Sequence, residues 1–153
     1  MSAVHEAMKR MHLFQGLNEE ELNLLEKLVF VNRVIVGDAV CREGDSSDFV
    51  CFVVRGQLNI VKRNAEGQDI ILAHLRAGDS MGEMALIDQQ PRSASVIAAE
   101  DSALIVLTRK GFEHLRKRSP ESAVKVLENM ARLLSNNLRN TSAQLAQFML
   151  PLA

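Results

Sequence analysis

The chain has 153 residues, 47% of them hydrophobic and 24% charged, which suits one globular domain burying roughly 70% of the surface its unfolded chain would expose. Eighteen basic against nineteen acidic side chains leave a formal charge of −1, so bulk attraction to nucleic acid or to an anionic membrane is not indicated. No apolar run approaches the roughly 20 residues of a membrane span, and Met1 to Met11, carrying His5, Glu6, Lys9 and Arg10, has no secretory apolar core; a soluble, cytoplasmic domain is expected.

Three segments of that one domain follow in chain order: 1–29, 30–110 and 111–150. The first reads as helical. Leu13, Phe14 and Leu17, then Leu22, Leu24, Leu25 and Leu28 recur at helical spacing, and Asn18 is a candidate N-cap before Glu19-Glu20-Glu21. The second reads as β as far as residue 108. It is dense in Val, Ile and Leu and punctuated by glycines at 37, 44, 56, 67 and 78, the rhythm of a small sandwich or barrel of short antiparallel strands. Ala65-Glu66-Gly67-Gln68, between the runs 58–63 and 69–75, predicts a hairpin loop.

The third segment is helical from Gly111, with a break at Ser119-Pro120. Ser119 suits an N-cap, and Pro120 suits the first helical position, where its missing N–H costs nothing. Nothing stops the helix before Pro151, which predicts roughly 30 residues and about 45 Å. Val124, Leu127, Ala131, Leu134, Leu138, Thr141, Leu145 and Phe148 alternate by three and four along it as a heptad seam. Such a seam packs either on its own β body or on a second copy of the chain. An adjoining stripe (Met130, Leu133, Asn137) can serve the first purpose, so the seam predicts a parallel homodimer.

Cys41 and Cys51 sit in strand-like contexts without a CxxC pair and read as reduced, partly buried thiols; a redox switch is the alternative. His5, His12, His74 and His114 show no ligand-like spacing, so no metal is expected. Nucleophile-elbow, zinc-protease and P-loop signatures are absent.

The chemistry lies in the stretch from Ala77 to Val96, AGDSMGEMALIDQQPRSASV. Gly82 permits close approach of backbone to a ligand. Glu83 to Ile87 can form one helical turn whose free N–H groups favour an anion. Arg92 supplies a permanent charge in a fork matched to phosphate oxygens, and Ser93 a hydroxyl beside it. Glu83 can accept from sugar hydroxyls. No metal-binding carboxylate pair and no general base accompanies them, so the set describes a nucleotide-binding site without catalysis. The bland alternative is a surface hairpin in which Glu83 and Arg92 pair.

Gly-Glu-Met-Ala-Leu at 82–86 followed by Arg-Ser-Ala-Ser-Val at 92–96 resembles the phosphate-binding cassette of cyclic nucleotide-binding domains. Gly37, Glu43-Gly44-Asp45, Gly56 and Ala77-Gly78-Asp79 agree with that family, as do the leucine-rich N-terminal helix and a long C-terminal helix similar to the dimer helix of bacterial catabolite-activator-like regulators. The resemblance implies a mainly β, α+β fold: an antiparallel, jelly-roll-like β-roll flanked by an N-terminal helix, a short cassette helix and the long dimerisation helix. It implies that Arg92 neutralises the cyclic phosphate and that Glu83 binds the ribose 2′-hydroxyl. The backbone of Gly82, Met84 and Ala85 would cradle sugar and phosphate, and Ser93 would bond the phosphate or the base. Ile60 and Leu72 would wall the base, with Asn137 or Thr141 capping it from the long helix.

Two features depart from the regulators. They continue into a helix-turn-helix after the dimer helix, whereas nothing here could act as a recognition helix, so either a stand-alone sensor or an effector domain of a longer protein is expected. Nucleic acid is not expected to bind through this chain alone. The serine after the arginine leans towards cGMP in the kinase branch and accompanies cAMP in bacterial activators; the bacterial-like helix favours cAMP. The alternatives are another effector, a vestigial pocket in an interaction module, or a cupin-type enzyme, which lacks its metal-binding histidines.

Overall fold

The computed structural model describes residues 2–46 and 48–152; Met1, Ser47 and Ala153 lie outside the described residues. In chain order α1 (Ala3–Lys9), a 3-10 turn (His12–Phe14) and α2 (Glu19–Glu26) precede eight strands. These are β1 (Val29–Val34), β2 (Ala39–Cys41), β3 (Phe49–Arg55), β4 (Gln57–Arg63), β5 (Asp69–Arg76), β6 (Ser80–Met81), β7 (Ser95–Ala98) and β8 (Ser102–Thr108), with a second 3-10 turn (Glu83–Leu86) between β6 and β7. Helices α3 (Arg109–Arg118) and α4 (Pro120–Ala146) close the chain. The strands form two antiparallel four-stranded sheets, ordered β1-β8-β3-β6 and β2-β7-β4-β5. This is the expected α+β roll.

Strands β3 and β8 explain why the middle of the chain reads as near-continuous apolar sequence. Side chains alternate across a strand, and here both faces are covered. Val50, Phe52, Ile105 and Leu107 enter a core shared with the helices, while Cys51, Val53, Leu104 and Val106 enter a second core with Leu58, Val96 and Ala98 of the opposite sheet. Phe14 of the first 3-10 turn meets Phe52 with ring centroids 4.8 Å apart. The expected hairpin joins β4 to β5, with Asn64 Oδ1 accepting from the N–H groups of Glu66 (3.0 Å) and Gln68 (2.9 Å).

Asn18 caps α2 as expected, and its partner is Glu21: the Asn18 side chain accepts from the Glu21 N–H (2.8 Å) while the Glu21 carboxylate accepts from the Asn18 N–H (3.0 Å). The same carboxylate reaches α4, accepting from Ser122 Oγ (2.6 Å) and Lys125 Nζ (2.7 Å). Asn129 Nδ2 adds bonds to the carbonyls of Leu13 (2.9 Å) and Gln15 (2.8 Å). The N-terminal segment is thus riveted to the first half of α4.

Two helix boundaries and one capping bond differ from expectation. Helix α3 begins at Arg109 rather than Gly111, because Thr108 Oγ1 accepts from the Gly111 N–H (3.0 Å) and caps it earlier. Pro120 opens α4, but the Ser119 hydroxyl pairs with Ser122 Oγ (2.7 Å) instead of capping the backbone. Helix α4 stops at Ala146 after 27 residues. Pro151 disfavours helical backbone at Leu150, and the last turns have no core to hold them.

The predicted seam is correspondingly reshaped. Leu127 packs against the helical core beside Leu133, and the stripe residue Met130 is buried there. Phe148 falls beyond the helix and is 84% exposed. Leu134 is half-buried, and Val124, Ala131, Leu138 and Leu145 remain exposed on α4. Among the described residues, no helix is long and apolar enough to cross a membrane.

Candidate functional site

Strand β6 delivers the chain to Gly82, whose backbone (φ 83°, ψ 21°) lies in the left-handed region open to glycine. That one residue turns the strand into the 3-10 turn Glu83–Leu86, closed by Ala85 N–H to Gly82 O (3.0 Å) and Ile87 N–H to Met84 O (2.9 Å). The first N–H groups of the turn have no partner within it. Ala85 and Leu86 are buried and seat the turn on the protein.

The chain then loops through Asp88–Pro91 to Arg92, whose backbone is clamped to the Gly44-Asp45 turn: Arg92 N–H donates to Asp45 O, and Gly44 N–H donates to Arg92 O, both at 2.8 Å. Its guanidinium Nη2 donates to Phe49 O (2.6 Å), and Cζ lies 4.8 Å from the centroid of the Phe49 ring. A Cβ at position 82 would run into Arg92 Nη1. Arg92 Nε is buried without a hydrogen-bond partner among the described residues. A buried, unsatisfied donor of a charged group is costly to the fold.

Glu83 does not pair with Arg92. Its Oε1 accepts from Ser80 Oγ (2.5 Å), and no carboxylate among the described residues forms an ion pair with Arg92. Lys62 Nζ donates to Ser93 O (2.6 Å) and stands 3.8 Å from Glu43. Around these groups lies a cavity of about 440 Å³ whose walls include Ile60, Gly82, Glu83, Met84, Ala85, Arg92 and Ser93, a volume ordinary for small-molecule sites. A larger groove of about 610 Å³, lined by Ser46, Asp48, Gln89, Arg109 and Lys110, contains no such orphaned donor.

Seven of the ten predicted ligand-contacting residues therefore share one cavity wall. Three lie elsewhere. Leu72 is exposed on β5, at the register shift that pairs Ile60 with Ala73 and Val61 with Ile71. Asn137 and Thr141 are exposed on the far half of α4 and do not line the cavity. Sequence reasoning missed Phe49, Lys62 and the Asp45 carbonyl. Phe49 stands 43 positions before Arg92, and only the fold brings them together.

Chemically, the cavity offers a fixed cation, free backbone N–H groups and a carboxylate, which suits an anion attached to a hydroxyl-bearing group. The neighbouring thiols are poor nucleophiles. Burial pushes Cys51 up to about 12 against the pull of the Arg92 charge, and burial likewise raises Cys41. Among the described residues, no group of three or more His, Cys, Asp or Glu is placed to hold a metal ion.

Gly82→Ala is expected to lower stability by roughly 1–3 kcal/mol, through a left-handed backbone that disfavours Cβ and a collision with the guanidinium. Thermal unfolding without any ligand measures this; an unchanged midpoint would contradict the tight approach of residues 82 and 92.

The sequence profile of the cyclic nucleotide-binding domain matches residues 33–119. A cyclic AMP receptor protein from Thermus thermophilus is 34% identical over 140 residues, covering 90% of this chain and 62% of the relative. A cAMP-dependent protein kinase regulatory subunit from Blastocladiella emersonii is 34% identical over 104 residues, 67% of this chain and 26% of the relative. The chain thus spans less than two thirds of either relative's length. The crystal structure of a cyclic nucleotide-binding domain from Methylobacillus flagellatus superposes with a TM-score of 0.84 at 26% identity, over 97% of this chain and 84% of that one. With fold, cavity and cassette in agreement, this chain belongs to the cyclic nucleotide-binding domain family.

Proposed function

We propose that the chain is a non-enzymatic cAMP sensor that transmits occupancy of the cavity to α4. The observation that carries this reading is Arg92, a cation that lines a cavity built around a glycine turn and pairs with no carboxylate among the described residues. A cyclic phosphate supplies the anion that the Arg92 guanidinium lacks. In this reading Arg92 takes the phosphate, the backbone of Gly82, Met84 and Ala85 cradles phosphate and sugar, Glu83 exchanges its Ser80 bond for the ribose 2′-hydroxyl, Ser93 bonds the phosphate or base, and Ile60 walls the base. The names of the relatives, a cyclic AMP receptor and a cAMP-dependent kinase regulator, favour cAMP over cGMP. Titration calorimetry with cAMP and cGMP tests the ligand. One saturable site per chain, tighter for cAMP, is expected; absence of heat with both nucleotides would remove the assignment and favour another effector.

Transmission rests on the part of α4 that its own chain leaves open. Leu138 is 68% exposed and Leu145 53% exposed on the same helix, the pattern of a seam awaiting a second copy. Pairing two α4 helices gives a parallel homodimer. Asn137 or Thr141 then meets the base only when α4 shifts toward a cavity, its own or the second copy's. A ligand drives such a shift by binding one helix arrangement better than the other. Leu138→Lys is expected to convert a dimer into monomers in sedimentation velocity while leaving the fold intact. A parent protein that is monomeric at about 100 µM, with and without cAMP, would contradict the dimer; 100 µM is roughly a hundred times a micromolar dissociation constant.

A further inference from the structure

We propose that Phe49 is a positioning residue for ligand binding, holding the Arg92 guanidinium in the orientation that receives an anion. The proposal rests on the reading of the cavity as a phosphate site and adds a residue outside the 82–96 motif. Three observations converge. The ring of Phe49 lies under Arg92 Cζ at 4.8 Å, its carbonyl takes Nη2 at 2.6 Å, and the Gly82 backbone comes so close to the guanidinium that a Cβ there would collide with it.

An arginine side chain has many rotamers, and a ligand that must order it loses affinity accordingly. Here two contacts from Phe49 already hold the side chain in one orientation. Of five N–H donors in the fork, one is spent on the Phe49 carbonyl, while Nε is buried and unspent. The ring contributes through its face, since a desolvated guanidinium over an aromatic quadrupole is attracted to it. The carbonyl contributes whatever the side chain is. The two roles are therefore separable: leucine at 49 keeps the carbonyl and the apolar bulk but removes the π face, whereas tyrosine keeps both.

The test compares the parent, Phe49→Leu and Phe49→Tyr. By titration with cAMP, Phe49→Leu is expected to bind about tenfold more weakly, and Phe49→Tyr within about twofold of the parent. In ligand-free protein, NMR relaxation of the Arg92 Nε–H should show a rigid side chain in the parent and Phe49→Tyr and a mobile one in Phe49→Leu. Equal affinity in all three, or equal mobility of Arg92 in all three, overturns the proposal. If the parent binds neither cAMP nor cGMP, the functional reading falls by itself, and the Arg92 mobility measurement still decides the role of Phe49.

Discussion

Arg92→Ala is expected to weaken cAMP binding by about 2–5 kcal/mol, on the order of a 30- to 5,000-fold loss in affinity, because it leaves a buried phosphate without its cation. The same substitution should hardly touch the ligand-free fold. The side chain contributes one hydrogen bond and one ring contact, and it carries the orphaned Nε. Favourable and unfavourable contributions are of similar size, so unfolding free energy should stay within about 1 kcal/mol of the parent. This separation of binding from stability distinguishes a functional arginine from a structural one. Calorimetry for affinity and denaturant titration for stability read the two quantities; a variant that binds cAMP as tightly as the parent, or one that is grossly destabilised, would contradict the assignment.

The second large effect belongs to Glu21. Burial raises its carboxyl pKa, yet the Asn18 backbone N–H, the Lys125 ammonium and the Ser122 hydroxyl together overcome that and hold it at about 2, below the ordinary 4.5. The unfolded chain therefore binds the proton more tightly than the folded one. Stability from this group is complete above pH 4.5 and is lost as pH falls towards about 2. The full difference is worth about 3 kcal/mol. Glu21→Ala removes the capping box and the rivet to α4 in one step and should cost about 2–3 kcal/mol at neutral pH. The variant should also show a shallower loss of stability between pH 4.5 and 2 than the parent. Guanidinium unfolding at neutral pH and at about pH 3 measures both; parallel pH profiles for parent and variant would show that the clasp contributes nothing.

What could be read from the sequence divides by the range over which its causes act. The Asn18 cap, the 64–68 hairpin loop, the Gly82 turn and Pro120 at a helix start are local, each set by one or two residues and their neighbours. They were legible for that reason. The cassette was legible because Glu83 and Arg92 fall within ten positions of one another. The environment of Arg92 was not: its ring, its carbonyl partner and its backbone clamp come from positions 44–49, brought across by the pairing of distant strands. The heptad seam shows the opposite failure. Its periodicity is genuine, but Leu127 turns into the chain's own core, and the helix ends before Phe148. Apolar spacing specifies a face without specifying what covers it. The family resemblance implies that Leu72 walls the base, but it lies on β5, the edge strand of its sheet, which is exposed along nearly all of its length.

The central claim, that the cavity beside Arg92 receives a cyclic nucleotide, is tested most directly by thermal unfolding of the parent and of Arg92→Ala, each with and without saturating cAMP. Ligand at 100 times its dissociation constant adds roughly 2.7 kcal/mol to the folded state, about 5–10 °C in midpoint for a chain of this size. The account predicts that rise in the parent, a smaller rise with cGMP, and none in Arg92→Ala at the same concentration. A parent midpoint that does not move, or one that moves equally in Arg92→Ala, would contradict it.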